Sequence, residues 1–127
     1  MSAADETLIR HWADAINARD LDGLLEVAHP DIELSPLQFG VSGDFKGHAG
    51  VRDWVDAFRK WDPGHRVRIE GVRTLPSGRV ALFGTIMIEG EPSSPYSLIA
   101  EVRDGKIARV RSFPNDEDTL EKLGELG

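Results

Sequence analysis

Hydrophobic residues in the first half of the chain recur with the period of an α-helix. Leu8, Trp12 and Ile16 lie four positions apart and form one apolar stripe. A short second helix follows, for which Asp20 is a suitable N-cap. The third helical pattern is the clearest, with large apolar residues at positions 51, 54, 55, 58 and 61. We therefore predict three N-terminal helices.

The second half of the chain has the period of two that is typical of β-strands. A short strand is predicted at residues 32–36, and residues 39–50, with four glycines, are predicted to form a loop. Further strands are predicted near 66–72 and at 79–90, 96–103 and 106–113, with a hairpin turn at Asp104-Gly105. Asn115 and Asp118 indicate the start of a last short helix. This order indicates an α+β fold, and 127 residues suit one domain, 1–127.

The last hairpin does not separate a polar face from an apolar one. If Arg103 pairs with Lys106, Leu98 shares a face with Arg111, and Ser112 lies on the opposite face. Neither face is then free of apolar residues, as a face open to water should be. We expect the helices to cover one face and a second subunit to cover the other, in a homodimer formed through the sheet.

The composition narrows the classes of function. An apolar fraction of 40% is sufficient for a core, and the lack of cysteine excludes disulfides, thiolate metal sites and a cysteine nucleophile. A net charge of −7 opposes binding to nucleic acid. No signal-peptide pattern is present, and the longest apolar run, residues 80–83, is too short to cross a membrane. We expect a cytoplasmic protein with no nucleic-acid or membrane partner.

The chemistry-bearing residues form no familiar metal or phosphate motif. The four histidines, at positions 11, 29, 48 and 65, do not have the spacing of metal ligands on one helix face. The glycines of residues 39–50 lack the lysine and the flanking strand of a phosphate-binding loop. We expect neither a metal nor another cofactor.

Several short motifs carry a resemblance to a known family. They are NARDLDGLL at residues 17–25, HPD at 29–31, GHAGV at 47–51, DGKI at 104–107, FPN at 113–115 and TLEKLG at 119–124. In this order they resemble the nuclear transport factor two-like superfamily, especially its SnoaL-like polyketide cyclases and ketosteroid isomerases. The resemblance implies a strongly curved antiparallel sheet, packed as a cone on three helices around a pocket, and pairing through the sheet. Because this superfamily includes both enzymes and binding domains, the fold does not settle the function.

The isomerase apparatus that the resemblance would imply is not retained. Proton abstraction beside a carbonyl needs a carboxylate base and a hydrogen-bond donor for the oxyanion. Trp12 stands where that family has its donor tyrosine, and its indole N–H can still donate. The catalytic aspartate falls at Ser35 or Pro36 and the second aspartate at Ile99, none of which is an acid.

The cyclase apparatus is not retained either. In that branch, the catalytic aspartate aligns with Ser112, the histidine with Leu98 and the glutamine with Tyr96. The resemblance implies that these positions share the pocket, whereas the ideal hairpin places Ser112 on the other face. A β-bulge would reconcile the two. A serine without a nearby base is unsuited to proton abstraction, so the catalytic residues stay unknown.

Our predicted ligand pocket combines residues of the helices and of the sheet. It consists of Trp12, Leu34, Trp54, Phe58, Tyr96, Leu98 and Arg111, and the weak catalytic candidates are Glu33, Ser35 and Ser112. Five of these residues have a simpler alternative: Trp12, Trp54 and Phe58 form core, Arg111 forms cross-strand ion pairs or dimer contacts, and Glu33 is exposed.

Three functions are compatible with this pattern. The first is a binding domain for a small apolar, cyclic or polyketide-like molecule, with or without metal-free lyase, isomerase or cyclase activity. The second is a non-catalytic ligand carrier that lacks the acid–base residues. The third is a dimerising interaction module with a filled core.

Overall fold

The helices and strands follow the predicted α+β order. The computed structural model describes residues 2–35, 45–61, 66–87 and 89–127. Its helices are α1 (Ser2–Ala18), α2 (Leu21–Val27), α3 (Gly47–Trp61) and α4 (Glu117–Lys122). Its strands are β1 (Ala28–Ser35), β2 (Phe45–Lys46), β3 (Arg66–Thr74), β4 (Val80–Met87), β5 (Ser94–Arg103) and β6 (Lys106–Phe113). None of the described helices is long and apolar enough to cross a membrane.

The helix boundaries are set by side-chain caps and by contacts with the sheet. Asp20 caps α2 as predicted, because its carboxylate accepts a hydrogen bond from the backbone N–H of Gly23 at 3.0 Å. The predicted cap of α4 is wrong by one residue: Asp116, not Asn115, accepts from the N–H of Thr119 at 2.9 Å. Helix α3 begins at Gly47, inside the segment predicted as a loop.

Helix α1 is fixed along β3 at both ends. The Asn17 amide donates to the backbone carbonyl of Val67 at 2.7 Å, and the N–H of Val67 donates back to Asn17 Oδ1 at 2.8 Å. Near the start of the helix, the Thr74 hydroxyl donates to Glu6 at 2.9 Å. These contacts hold the apolar stripe of α1 against one face of the sheet.

In the described residues, six strands form one curved sheet in the order β2-β1-β6-β5-β4-β3. It is antiparallel except between β1 and β6, which are parallel. The register shifts in β1, in β3 between Ile69 and Gly71, and in the last hairpin, and such bulges bend and twist a sheet. At Gly84, opposite the β3 bulge, a Cβ would clash with the backbone carbonyl oxygen of Arg68, so only glycine allows this approach.

A bulge beside the hairpin turn decides which residues of β6 face the helices. Val102 pairs with Ile107, but Glu101 pairs with Arg109, so Ala108 is the extra residue. Beyond it, Ser112 pairs with Leu98, and the ideal register predicted from the sequence is wrong by one residue. The bulge thus reconciles the hairpin with the resemblance to the cyclases.

Two apolar clusters cover the two faces of the sheet. The larger joins the helix-facing side to α1, α2 and α3, and includes Ile9, Trp12, Ile32, Leu34, Leu82, Tyr96 and Leu98. The smaller lies on the outer side, where Leu120 and Leu126 of the C-terminal segment pack with Leu75, Ala81, Phe83 and Ile99. Arg79 also donates to the carbonyls of Glu125 and Gly127 at 3.3 Å each. The chain itself therefore covers part of the face that we assigned to a second subunit.

Candidate ligand-binding site

Two tryptophans stack on the helix-facing side of the sheet. The ring centroids of Trp12 and Trp54 are 6.0 Å apart and their planes are within 3° of parallel, a geometry favourable for aromatic pairs. Trp12 is 1% exposed, whereas Trp54 is partly exposed and packs against the same core cluster. The stacked rings thus form a contact between the buried stripe of α1 and helix α3.

A hydroxyl pair lies on the same side, between two neighbouring strands. The Tyr96 hydroxyl and Ser112 Oγ are 3.1 Å apart, and either oxygen can donate. Tyr96 is buried and Ser112 is partly buried. Burial raises the pKa of the Tyr96 phenol above its ordinary value of 10.0, and the hydrogen bond with Ser112 offsets part of that rise. Both hydroxyls are therefore neutral at physiological pH.

Two of the other predicted pocket residues belong to the same core cluster as Trp12 and Tyr96. Leu34 and Leu98 are buried in the core cluster that contains Trp12 and Tyr96. The side chain of Phe58, like Pro36 as a whole, lies outside the described residues.

Arg111 does not lie on the same side of the sheet as Leu34 and Leu98. The bulge turns it to the outer face, where it pairs in register with Ile99. Its guanidinium is 3.7 Å from the carboxylate of Glu125 and lies over the ring of Phe113 at 5.1 Å. The structure therefore separates Arg111 from the tryptophans and from Tyr96, and places it beside a carboxylate of the C-terminal segment.

Two of the three weak catalytic candidates also lie on the outer side. Glu33 is exposed, 3.7 Å from the ammonium group of Lys46, and in register with Arg109. Ser35 is in register with Arg111 and so lies on the same side of the sheet. Only Ser112 is brought together with the predicted pocket residues. Ile99, the position of the second isomerase aspartate, belongs to the outer cluster.

An ideal hairpin separates Tyr96 from Ser112, whereas the alternative with a β-bulge brings them to one face, as the resemblance to the cyclases implies. The sequence contains a signal that favours the bulge. A shift by one residue gathers Glu101, Arg109 and Arg111 on one face and leaves Leu98 with Ser112 on the other. The demand for a cleaner division between polar and apolar faces could therefore have located the bulge.

Acidic side chains of the described strands do not line this site. The four carboxylates of those strands are all exposed, and they belong to Asp31, Glu33, Glu70 and Glu101. In the part of the chain that the structure describes, no three His, Cys, Asp or Glu side chains are grouped to hold a metal ion. The accessible part of this arrangement is the ring of Trp54 and the neutral hydroxyl of Ser112, which suit the binding of an uncharged molecule.

Comparisons with known proteins agree with the observed fold. A model of the SnoaL-like domain family matches residues 9–110. Among solved structures, TerC co-crystallised with polyporic acid is similar, with 23% identity, a TM-score of 0.77 and coverage of 97% of each chain. A nuclear-transport-factor-two-like protein of unknown function from Burkholderia pseudomallei has 16% identity and a TM-score of 0.75, with 93% of this chain and 95% of that chain covered.

A candidate polyketide cyclase from Xanthomonas campestris pv. campestris is also similar, with 19% identity, a TM-score of 0.69 and coverage of 98% of each chain. At these identities the likeness shows a shared fold. No curated protein matches the sequence.

The raised pKa of Tyr96 predicts a specific response to alkali. Tyr96 is the chain's single tyrosine, so tyrosinate absorbance reports on it alone. We expect a titration midpoint above pH 10.0, and a still higher midpoint in Ser112→Ala, which removes the hydrogen bond that lowers the pKa. Since the folded chain holds this proton more tightly, its contribution to stability is complete below pH 10.0 and is lost as the pH rises through the folded pKa. A midpoint at or below 10.0 in the folded protein would contradict this assignment.

Proposed function

Starting from the premise that this chain belongs to the SnoaL-like domain family, we propose that it binds a small, mostly apolar ring compound on the helix-facing side of its sheet. One observation carries the proposal: the hydroxyl of Tyr96, in an apolar core cluster that contains Trp12 and packs against Trp54, is paired with the partly buried hydroxyl of Ser112. Small-molecule sites are typically lined by aromatic and aliphatic side chains, with a small number of polar groups that point to the same place.

The structural neighbours support a cyclic ligand. TerC was co-crystallised with polyporic acid, and other proteins of this fold are candidate polyketide cyclases. For this chain, the partly exposed ring of Trp54, which stacks on the buried Trp12, favours a flat ring, because aromatic faces stack with favourable energy beyond the area they bury. We therefore include cyclic and polyketide-like molecules in the proposed ligand class.

Two activities are compatible with such a site. A lyase-, isomerase- or cyclase-type reaction, without a metal, needs a base near the ligand. The exposed positions of Glu33 and of the other strand carboxylates in the described residues favour the second activity, a non-catalytic ligand carrier. The cytoplasmic location expected from the sequence stays a prediction of this proposal.

We expect α-tetralone, a bicyclic ring ketone, to change the tryptophan fluorescence of the protein. Trp54→Phe should weaken binding roughly two- to ten-fold, because it removes part of an aromatic contact of about 0.5–1.5 kcal/mol. Leu123→Ala, at an exposed residue of the C-terminal segment, is the control and should bind as the wild type does. An absence of binding across a panel of ring ketones, ring hydrocarbons and phenols would instead favour an interaction module with a filled core.

Proton exchange distinguishes a carrier from an enzyme. In deuterated water, a base beside the carbonyl would accelerate exchange of the protons next to the ketone of α-tetralone, as followed by NMR. We expect saturating protein to leave the exchange at the buffer rate. An acceleration that remained in Glu33→Gln would reveal a base elsewhere in the chain and restore the enzyme hypothesis, whereas one lost in that variant would identify Glu33 as the base.

The proposal also includes a homodimer through the open part of the outer face. The C-terminal segment covers the outer side of β4 and part of β5. On the part of this face that it leaves open, positive and negative side chains alternate across β2, β1, β6 and β5, in the order Lys46, Glu33, Arg109 and Glu101. Such an alternating row is self-complementary for two copies related by a two-fold axis.

Charge reversal at the centre of this row tests the dimer. We expect wild-type protein to sediment with the mass of two chains at micromolar concentration, and Arg109→Glu to dissociate, because it places like charges beside Glu33 and Glu101. Arg52→Glu makes the same change of charge at an exposed position of α3 and should stay dimeric. A wild-type monomer would remove the dimer from the proposal.

A further inference from the structure

The Tyr96–Ser112 pair has one more hydrogen-bond donor than it uses. Two neutral hydroxyls carry two O–H protons, and the contact between Tyr96 and Ser112 uses one of them. Neither side chain has another hydrogen-bond partner among the described residues. One O–H therefore remains available for a hydrogen bond to another molecule. A ligand that presents an acceptor at this point gains that hydrogen bond, whereas a ligand that covers the O–H without an acceptor leaves a buried donor unpaired, which is costly.

The burial of the two residues indicates which O–H is available. Tyr96 is 7% exposed, whereas Ser112 is more accessible, at the end of β6. Phenol is also the stronger donor of the two groups and the alkyl hydroxyl the stronger acceptor. Both facts favour donation from Tyr96 to Ser112, which leaves the Ser112 proton for a molecule that arrives from the accessible side.

The chemistry of the acceptor follows from the surrounding residues. The neighbours of the pair in the core cluster include Leu98, Val110 and Leu82, which are apolar. Of the three basic residues of β6, Arg109 and Arg111 face outward beside Glu101 and Glu125, and Lys106 donates to the backbone carbonyl of Glu26 at 2.6 Å. A charged oxygen placed there would therefore lose its hydration without gaining an ion pair from β6. A neutral carbonyl oxygen satisfies the free donor at the least cost of desolvation.

We propose that Ser112, oriented by Tyr96, selects ligands that present one uncharged carbonyl oxygen on a ring. This inference rests on the proposed function and names the feature by which its site distinguishes ligands. Ser112 is the specificity-determining residue, and Tyr96 is a positioning residue that acts through it.

The experiment compares two probes with nearly the same ring framework. α-Tetralone has a ring carbonyl and tetralin does not, so the ratio of their dissociation constants isolates the contact to oxygen. We expect the wild type to prefer the ketone by roughly ten-fold, the value of one hydrogen bond of about 1.4 kcal/mol. Ser112→Ala should lose this preference while it retains tetralin binding, and Ser112→Thr, which restores a hydroxyl, should recover it. Tyr96→Phe should reduce the preference for the ketone by a smaller factor than Ser112→Ala does. A loss of packing would weaken the binding of both probes equally and leave their ratio unchanged.

A matched control and a direct readout make the result specific. Ser97 is the residue after Tyr96 and carries a buried hydroxyl, but that hydroxyl donates to the carbonyl of Asn115 at 2.7 Å, away from the proposed site. Ser97→Ala should therefore keep the preference for the ketone. With a carbon-13 label at the carbonyl of α-tetralone, the hydrogen bond should move the resonance downfield in the wild type and in Ser112→Thr, but not in Ser112→Ala.

The outcomes separate this inference from the function on which it rests. Equal affinity of the wild type for both probes, or a preference that persists in Ser112→Ala, would overturn the role of Ser112 and leave the ring-binding site intact. Failure of the wild type to bind either probe would overturn the binding site itself, and this inference with it.

Discussion

The β-bulge in the last hairpin is the constraint on which the arrangement of this protein depends. A strand alternates its side chains between two faces, so one extra residue exchanges the faces for everything beyond it. Here the extra residue is Ala108, and it gives β6 a helix-facing row with Val110 and Ser112 and an outer row with Arg109 and Arg111. Without the bulge, two guanidinium groups would lie in the apolar core and Ser112 would lie outside it.

The same bulge joins stability and function. With the arginines directed outward, Arg111 pairs with Glu125 and helps to hold the C-terminal segment, whose Leu120 and Leu126 cover the outer cluster. With Ser112 directed inward, the hydroxyl of Tyr96 gains a partner in a core where an unpaired hydroxyl would be costly. The outer face of β6 therefore holds the C-terminal segment, and its inner face supplies the polar group of the proposed site.

The proposed site also illustrates how a shared fold can change its chemistry. The resemblance to the cyclases implies that Ser112, Leu98 and Tyr96 stand at acid–base positions of that branch, and the structure brings all three to one side of the sheet. The curvature of the sheet does not depend on such acids, because it depends on bulges and on close approaches such as that at Gly84. Under the proposed function, the ligand would change from one that loses a proton to one that accepts a hydrogen bond.

The sequence by itself determined most of the elements and the family, although β2 lies within the segment predicted as a loop. Apolar periodicity located α1 and α3, the carboxylate of Asp20 located the start of α2, and Asp104-Gly105 located the last turn. These signals are local, since each depends on residues within a few positions of one another. The tertiary structure alone decided the parallel pairing of β1 with β6, the face of Ser112 and Arg111, and the covering of the outer cluster by Leu120. Each of these depends on contacts between residues that are distant in the chain, or on a single bulge. The local pattern of apolar and polar residues does not determine the free energy of such a bulge.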